Sequence, residues 1–424
     1  MASPVDTTVK YLHSGMSGAP VLQGQAGSLI SMLDACLVTG FDTKTPTSLM
    51  VASGVATLAY SGGHSAEVNS VILVEGVTGA LTALNGEQKV TFKSSTEIRF
   101  ATAAANGTAA GAITFKMAPC GWAKVFTDTN KAVYKALAIT ANGHFLRVDD
   151  TVAAETRVFG FETMSDIDTG SGQFPLPAQL SAFGAIAPEK GGYWSKGSNA
   201  NTNPIAWVFF GDTRLFMYGP STYQSQIAIG DVSRNNYTQC QLRGFGDPLA
   251  TRPSGDVYNT TLACGGSPNH ASSTEAGSFS GDDVWYGGLF TARAFTGLGG
   301  SELHSLRAAS NPFNQSAMSG INSQAYGSFP SAVDGGIRLV ERFMKRRVTP
   351  TAADHAVRAV IPGILYVPMS EVYRNLPPKT VITGTGKYAG RALVAVGTGP
   401  YSSDTAASPD SCGISFMDIT GPWR

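Results

Sequence analysis

The amino-acid sequence predicts a mainly β protein made of several small antiparallel β-domains or barrels with a few short helices. The first reason is that apolar residues recur at every second position in several short segments, which is the period of a strand with one buried face. The second reason is that 49 glycines and 22 prolines are spread along the 424 residues, as turn residues of a β-rich chain are. The sequence shows no repeat of roughly 20–50 residues, so a solenoid or a propeller is not favoured.

The clearest alternation lies between residues 63 and 116. Three segments carry it: residues 89–93 (Lys-Val-Thr-Phe-Lys), 97–101 (Glu-Ile-Arg-Phe-Ala) and 112–116 (Ala-Ile-Thr-Phe-Lys). Residues 71–74 form a continuous apolar run, which suits a more buried strand. Turn formers such as Asn85-Gly86 separate these segments. We therefore predict a compact antiparallel module over residues 49–118, folded as a small barrel and inserted into the surrounding domain.

Helical spacing precedes this module. Apolar residues recur at intervals of three and four at Leu29, Met32, Leu33, Cys36 and Leu37. We expect one helix that is capped by Ser28 and ends near Thr39, before Gly40. Its single apolar face implies that the helix docks on a core.

The segments after the module predict a short helix and further strands. They are, in order, a helix over residues 130–137 and strands over residues 144–148 and 157–161. Residues 205–218 give the best hairpin signal, because Gly211-Asp212 separates two aromatic and β-branched runs. We expect residues 227–232 to pair with this hairpin.

The same patterns predict the domain organisation. Residues 1–48 and 119–232 are expected to form a β-rich core domain with the N-terminal helix, interrupted by the module at 49–118. Turn formers dominate residues 233–335, so this region is predicted to be rich in ordered loops. Residues 336–424 are predicted to be a C-terminal β-rich domain, with strands at 336–343, 361–367, 393–396 and 413–419.

The charge composition favours assembly. The chain has 30 basic and 30 acidic residues, and only 14% of its residues are charged. Low charge suits burial between neighbouring subunits, although Gly, Ser, Thr and Asn offer an alternative way to solvate the surface. The N-terminus has no basic region followed by an apolar run, so we expect no signal peptide and synthesis in a cytoplasm. No apolar stretch approaches the roughly 20 residues of a membrane span.

Residues suited to catalysis or metal binding are scattered. The cysteines are Cys36, Cys120, Cys240, Cys264 and Cys412, and the histidines are His13, His64, His144, His270, His304 and His355. None of them has the close spacing of a zinc or redox motif, so reduced, isolated thiols are expected. We therefore predict no metal site and no cofactor.

Three short motifs have a functional and a structural interpretation. The acidic pairs Asp149-Asp150 and Asp282-Asp283 would serve glycoside hydrolysis only if two carboxyl groups faced one cleft, and solvated turns are favoured. Residues 384–387 (Gly-Thr-Gly-Lys) resemble a phosphate loop but lack its spacing, so a turn between strands is favoured. The basic cluster at residues 341–347 is expected at a solvated helix end or in subunit salt bridges, because a neutral chain argues against nucleic-acid binding.

The module resembles a small β-barrel that recurs in virion proteins of tailed bacteriophages. The similarity rests on Gly63-His64-Ser65, Val74-Glu75-Gly76-Val77, Leu84-Asn85-Gly86, Lys89-Val90-Thr91, Ile98-Arg99-Phe100 and Gly111-Ala112-Ile113. Residues 10–20, 146–151 and 416–424 are similar to stretches of a virion-associated family in phages of Gram-negative hosts. The sequence departs from the module pattern at residues 67–70 (Glu-Val-Asn-Ser), where Gly-Asp is common.

The resemblance implies a non-enzymatic structural subunit of a phage virion. We expect it in the tail, at the nozzle, the baseplate or the fibre-attachment region, with copies of itself and other tail proteins as partners. The alternative is a receptor- or saccharide-binding protein at the tail tip, with host surface polysaccharide as partner. Its candidate stacking residues are Tyr193, Trp194, Tyr223, Trp285 and Tyr286. Hydrolysis of that polysaccharide is a third interpretation, and no catalytic residue carries over from the resemblance.

Overall fold

The computed structural model describes residues 3–197, 199–221, 242–266, 278–280, 287–306, 327–347, 353–398 and 413–424. The described chain is mainly β with few, short helices, which confirms the predicted fold class. The helices are α1 (Ser28–Leu33), which continues as a π-helical segment (Asp34–Thr39), α2 (Pro177–Ser181) and α3 (Val372–Asn375). Short 3-10 helices lie at Gly79–Leu84, Pro188–Lys190 and Gly386–Tyr388.

The strands follow one another along the whole described chain. The first nine are β1 (Lys10–His13), β2 (Phe41–Lys44), β3 (Ser48–Ala52), β4 (Val55–Ala59), β5 (Val71–Glu75), β6 (Gly86–Lys93), β7 (Glu97–Ala101), β8 (Gly107–Thr108) and β9 (Thr114–Met117). The next nine are β10 (Trp122–Asp128), β11 (Lys131–Ala136), β12 (Phe145–Asp149), β13 (Glu155–Phe161), β14 (Thr163–Met164), β15 (Gly170–Ser171), β16 (Gly192–Ser195), β17 (Ala206–Gly211) and β18 (Leu215–Ser221). The last ten are β19 (Arg243–Gly246), β20 (Leu249–Ala250), β21 (Thr261–Gly265), β22 (Gly287–Thr291), β23 (Glu302–Ser305), β24 (Val340–Arg347), β25 (Ala353–Tyr366), β26 (Val381–Thr383), β27 (Ala392–Thr398) and β28 (Gly413–Asp418).

A large antiparallel sheet organises most of these strands. One row of neighbours runs β1-β17-β18-β19-β21-β22-β23-β24-β25-β28-β27-β26. A branch leaves β21 through β16 and continues β13-β12-β11-β10. Strands on both sides of the predicted boundaries near residues 232 and 335 therefore belong to the same sheet.

The predicted module over residues 49–118 lies within a row of eight hydrogen-bonded strands that is separate from the large sheet. The order of these strands is β2-β9-β5-β6-β7-β4-β3-β8. Strand β6 turns the corner, because residues 86–89 pair with β5 and residues 90–93 pair with β7, with a bulge between Val90 and Phe92. The predicted strands are confirmed, but the predicted barrel is wrong. Strands β2 and β8 are the two ends of an open sheet, so the module does not close. Because β6 pairs on both sides of its corner, it joins two sheets, β2-β9-β5-β6 and β6-β7-β4-β3-β8, and we call residues 41–117 the two-sheet module.

The N-terminal helix spans Ser28 to Thr39 as predicted and ends at Gly40, whose φ of 72° suits glycine. The predicted cap at Ser28 is wrong. Ser28 is the first helical residue, and its hydroxyl accepts a hydrogen bond from the Gln23 amide at 2.8 Å. The free amides of the first turn are satisfied by a distant carboxylate, that of Asp150.

Residues 130–137 were expected to form a helix, and this expectation is wrong. They contain strand β11, which lies between β10 and β12 and pairs with both. Ala132, Val133 and Tyr134 are all buried, because a central strand is covered on both faces. A short continuous apolar run of this kind does not distinguish a buried strand from a buried helix.

The hairpin predicted at residues 205–218 is confirmed as β17 and β18, with the register Gly211↔Phe216 at its tip. The turn is longer than predicted, because Asp212, Thr213 and Arg214 join the strands. The Asp212 carboxylate accepts hydrogen bonds from the amides of Arg214 and Leu215, which fixes the turn. The strand expected at 227–232 lies outside the described residues.

Residues 233–335 were expected to be loop-rich, whereas their described part contains strands β19 to β23. These strands are short and rich in glycine and small residues, as in Arg-Gly-Phe-Gly of β19 and Thr-Leu-Ala-Cys-Gly of β21. All residues of β19, β21 and β22 are buried, so they show no apolar–polar alternation. In the part of the chain that the structure describes, no helix is long and apolar enough to span a membrane.

Candidate interaction surface

Of the acidic pair Asp149-Asp150, Asp150 is engaged in contacts that hold the fold together. The Asp150 carboxylate is fully buried and forms an ion pair with Lys196. It accepts hydrogen bonds from the amides of Leu29 and Ile30 at 2.9 and 3.3 Å, at the start of α1. Burial raises the pKa of Asp150 and lowers that of Lys196. The second pair, Asp282-Asp283, lies outside the described residues.

The aromatic residues proposed to stack on saccharides are buried where the structure describes them. Trp194 is fully buried, and its indole donates a hydrogen bond to the carbonyl oxygen of Ala263 at 2.7 Å. The Tyr193 ring is covered by the Arg157 guanidinium, 3.6 Å from the ring centre. Strand β16 is an interior strand with both faces covered, so neither ring is free to meet a sugar. Tyr223, Trp285 and Tyr286 lie outside the described residues.

The described thiols and imidazoles do not gather in one place in the fold. Among the described residues, no group of three or more His, Cys, Asp or Glu side chains could hold a metal ion. Cys36, Cys120 and Cys264 are buried and free, and burial raises the pKa of each thiol. His304 is also fully buried, which lowers its pKa well below the ordinary value. Cys240, Cys412 and His270 lie outside the described residues.

The basic cluster lies on strand β24, and the expected helix end is wrong. Arg342 and Lys345 are buried, whereas Arg346 is exposed and pairs with Glu302 at 2.6 Å. The Arg342 guanidinium donates to the carbonyl oxygen of Ser280 inside the protein. The three cations whose side chains the structure describes are thus divided between the interior and the surface, and do not by themselves form one basic patch for phosphates.

The Gly-Thr-Gly-Lys motif directly follows β26 and leads into a 3-10 helix of three residues, Gly386–Tyr388. Lys387 pairs with Glu341 at 3.2 Å. No α-helix follows the motif, so the arrangement of a phosphate loop is missing. The structure supports the turn between strands that the spacing favours.

Six of the exposed large apolar side chains in the described chain stand on four loops that hydrogen bonds and ion pairs link to one another. We call the outer face of residues 137–144, 176–179, 251–259 and 293–301 the loop surface. Its exposed apolar residues are Leu137, Ile139, Leu176, Val257, Phe295 and Leu298. Ile139 is fully exposed and Leu298 is 75% exposed. Exposed apolar side chains gathered in one region are typical of a surface that meets another protein.

A charged network centred on the buried Arg358 holds two of these loops. The Arg358 guanidinium donates to the Asp256 carboxylate at 2.9 Å and to the Glu302 carboxylate at 3.0 Å. It also donates to the carbonyl oxygen of Arg293 at 2.8 Å. Arg293 in turn forms two bonds, of 2.6 and 2.9 Å, with the Glu162 carboxylate. Such two-pronged pairs restrict orientation, so the loops at 251–259 and 293–301 are held firmly.

The other two loops are tied to the same network. The amide of Asn142 donates to the Asp247 carboxylate at 2.8 Å, and its side chain donates to Asn259 at 3.0 Å. The Gln179 side chain donates to the carbonyl oxygen of Ser301 at 2.9 Å. The loop surface is therefore pre-ordered although it is formed from four distant parts of the sequence, and pre-order lowers the entropic cost of binding.

A groove lies elsewhere, at the edge of the large sheet, and has a volume of about 740 Å³. It separates strand β26 from the chain at residues 336–340. Its apolar lining consists of Phe329, Ile337, Leu339, Leu376, Ile382 and Tyr388. A cavity of this size with such a lining can accept a peptide segment or a small ligand.

Comparison with protein-family models finds no match, and neither does comparison with the curated proteins.

Sequence reasoning missed both the loop surface and the groove. Leu137 and Ile139 stand in the segment that was assigned to a helix and its end, whereas Leu298 is in the region assigned to loops. No local pattern connects them, because they are brought together by the hydrogen bonds of Asn142 and Arg358. The only signal in the sequence was the presence of large apolar residues among turn formers in both segments.

Proposed function

We propose that the chain is a non-enzymatic structural subunit of a tailed-phage virion, located in the tail at the nozzle, the baseplate or the fibre-attachment region. It is made in the host cytoplasm and then built into the particle. Its partners are copies of itself and other tail proteins. The proposal begins from the resemblance of residues 63–113 and of both ends of the chain to virion proteins.

The observation that carries the proposal is the loop surface. Six large apolar side chains stand exposed on loops that ion pairs and hydrogen bonds hold in place. An isolated protein gains nothing by exposing Ile139 and Leu298, whereas an obligate interface buries such residues. The low charge of the chain, 14%, agrees with extensive burial between subunits. We propose that the loop surface is covered by a neighbouring virion protein.

The buried state of Tyr193 and Trp194 removes the described part of the support for saccharide binding. The burial of Asp150 against Lys196 likewise removes one acidic pair from the hydrolytic interpretation. Both observations favour the structural role over the alternatives at the tail tip.

The deciding experiment is to purify particles of the phage that encodes this chain and to identify their proteins by mass spectrometry. We expect several copies per particle, and labelled antibody should place them on the tail by electron microscopy. Absence of the chain from mature particles would end the proposal. Presence only in the capsid would contradict the tail position alone.

A further inference from the structure

Lys196 and Asp150 form an ion pair in which neither side chain is exposed to water. The Lys196 ammonium donates its hydrogen bond to Oδ1 of the Asp150 carboxylate. An ion pair inside a protein is costly, because both charges have lost their hydration. Condensation of the two groups into an amide would remove both charges from the core and release one water molecule. A dry core therefore favours the amide over the separate ammonium and carboxylate.

The backbone holds both partners in place. The Asp150 amide donates to the carbonyl oxygen of Asn130 at 2.8 Å, and the Asp150 carbonyl oxygen accepts from the Gly27 amide at 2.9 Å. Lys196 directly follows β16, and its amide donates to the carbonyl oxygen of Ala154 at 3.3 Å. The two side chains thus have little freedom to separate, and reacting groups that are held in contact need no encounter in solution.

The other contacts of the Asp150 carboxylate suit acyl transfer. Its Oδ2 accepts hydrogen bonds from the amides of Leu29 and Ile30 at 2.9 and 3.3 Å. When a nucleophile attacks the carboxyl carbon, negative charge develops on this oxygen, and the two amides stabilise it. Its Oδ1 accepts a hydrogen bond from the Thr156 hydroxyl at 2.6 Å. Oδ1 is the oxygen that would leave as water, and a hydroxyl beside it can pass on a proton.

The protonation states agree with this arrangement. Burial raises the pKa of Asp150 and lowers the pKa of Lys196, so it shifts both groups towards their neutral forms. The neutral amine is the nucleophilic form of lysine. The neutral carboxylic acid is attacked more readily than a carboxylate, because it does not repel the lone pair of the amine.

We propose that Lys196 and Asp150 condense into an intramolecular amide bond after the chain has folded. A proton first moves from Nζ to Oδ1, which gives an amine and a carboxylic acid. The Nζ lone pair then attacks Cγ, and the electrons of the carbonyl bond move to Oδ2. A second proton passes from Nζ through the Thr156 hydroxyl to Oδ1, the Cγ–Oδ1 bond breaks, and the carbonyl bond to Oδ2 forms again. The products are one amide and one water, and nothing is oxidised or reduced.

The bond would connect two strands that are not neighbours. Asp150 directly follows β12, Lys196 directly follows β16, and β13 lies between these strands and pairs with both. A covalent link here restricts the unfolded chain as a disulfide does, but reductants do not break it. Freshly folded chain carries the ion pair, and aged chain carries the amide. The inference goes beyond the proposed function and does not depend on it.

The test is the intact mass of the full chain, measured soon after purification and again after several days at the growth temperature of the host. We expect the aged protein to have lost the mass of one water molecule. Trypsin should then release a branched peptide that joins residues 148–157 to residues 191–214, because a linked Lys196 is not cleaved. Fragmentation of this peptide locates the link, which distinguishes it from a cyclic imide at Asp334-Gly335.

The controls isolate the chemistry of the pair. In the same digest, the partly exposed pair Lys124–Asp34, at 2.7 Å, should stay unlinked, because water solvates its charges. Lys196→Arg keeps the positive charge but carries a guanidinium, which does not deprotonate, so this variant should keep its full mass. Thr156→Val removes the hydroxyl and should slow the loss of water by about a hundredfold.

The parent chain alone decides the outcome, so a variant that fails to fold does not affect it. If the aged parent keeps its full mass and both peptides are recovered separately, the amide bond does not form and the proposal is wrong. A loss of water that Lys196→Arg shares would arise elsewhere in the chain and would contradict the proposal equally. An unchanged rate in Thr156→Val would overturn the proton transfer through Thr156.

Discussion

The ammonium group of Lys89 donates a hydrogen bond to the carbonyl oxygen of Ile419 at 2.6 Å, across 330 residues of sequence. This bond ties strand β6 of the two-sheet module to the segment that follows β28. A second tie lies nearby, where Lys10 of β1 pairs with Glu87 of β6 at 2.9 Å. The module is therefore fastened to the large sheet by buried lysines at the corner strand, where its own two sheets meet.

The burial of Lys89 predicts a pH dependence of stability. Burial, assisted by the nearby ammonium of Lys10, lowers the pKa of Lys89 to about 8, and the carboxylates of Asp6, Asp418 and Glu87 oppose the shift. The unfolded chain holds this proton up to the ordinary pKa of 10.5. The unfolded state thus binds more protons between these two values, so the contribution of Lys89 to stability rises from pH 8 to pH 10.5. Below pH 8 the contribution is constant.

The Lys89→Met variant should remove this rise, which amounts to about 3 kcal/mol over the full window. The measurement is urea unfolding of the parent and the variant at several pH values between 7 and 10.5, compared as a difference so that other titrating groups cancel. Lys93→Met on the same strand is the control, because Lys93 is largely exposed and should leave the profile unchanged. Parallel profiles of the parent and Lys89→Met would show that the buried ammonium does not cause the effect.

The buried pair Asp150–Lys196 predicts a large loss of stability when one partner is removed. Asp150→Asn leaves the Lys196 ammonium buried without a counter-charge and weakens the bonds to the first turn of α1. We expect the free energy of unfolding to fall by about 3–5 kcal/mol. The neighbouring Asp149→Asn is the matched control and should cost less than about 1 kcal/mol, because Asp149 is only half-buried and bonds mainly to Thr151.

The double variant Asp150→Asn with Lys196→Met checks the cause. Removing the ammonium together with the carboxylate should recover part of the loss, since no uncompensated charge then remains in the core. If the double variant is as unstable as the sum of the two single variants, the cost comes from the helix bonds and not from the orphaned charge. The free energies of unfolding of the single and double variants are measured by urea or thermal unfolding.

Features that depend on nearby residues could be predicted from the sequence, whereas features that depend on distant contacts could not. The helix at residues 28–39 and the hairpin of β17 and β18 were predictable, because their apolar periods and terminal glycines are local. The cap on that helix was not, because the carboxylate comes from Asp150, 121 residues beyond Leu29. Strand β11 was assigned to a helix because its buried residues face both ways, so the period of two disappears.

The candidate surfaces were still less predictable. Strands β19, β21 and β22 contain glycines inside buried segments, so their sequences read as turns. The loop surface exists only because the partners of Arg358 and Asn142 join loops that are far apart in the chain. The open ends of the module depend on strand order, and a period of two does not specify which strands are neighbours.

Substitution of Gly160 in β13 by alanine should create a steric clash in the core, whereas the same substitution at Gly265 should not. A methyl group at Gly160 would lie 2.3 Å from the ring of Phe174, which is fully buried. Gly160→Ala should therefore destabilise the protein by about 1–3 kcal/mol through overpacking. Gly265→Ala, in the buried strand β21, is the control, because a methyl group there would meet its nearest neighbour at 3.6 Å.

A second substitution tests the stated contact. Phe174→Leu shortens the side chain that opposes Gly160, so it should reduce the cost of Gly160→Ala in the double variant. Thermal unfolding of the four combinations gives the coupling between the two positions. Additive effects would mean that the cost of Gly160→Ala does not come from the Phe174 ring.

Substitutions in the loop surface should weaken incorporation into particles without lowering the free energy of unfolding. Ile139→Ser with Leu298→Ser removes two exposed apolar side chains and leaves the bonds of Asn142 and Arg358 in place. We expect the free energy of unfolding to change by less than about 0.5 kcal/mol. The number of copies per purified particle, measured by mass spectrometry after complementation of a phage that lacks the chain, should fall about tenfold, since a buried apolar anchor contributes more than about 1 kcal/mol. Val152→Ser removes an exposed apolar side chain outside the loop surface and should leave incorporation unchanged. Full incorporation of the double variant would show that the loop surface is not the face that meets a neighbouring virion protein.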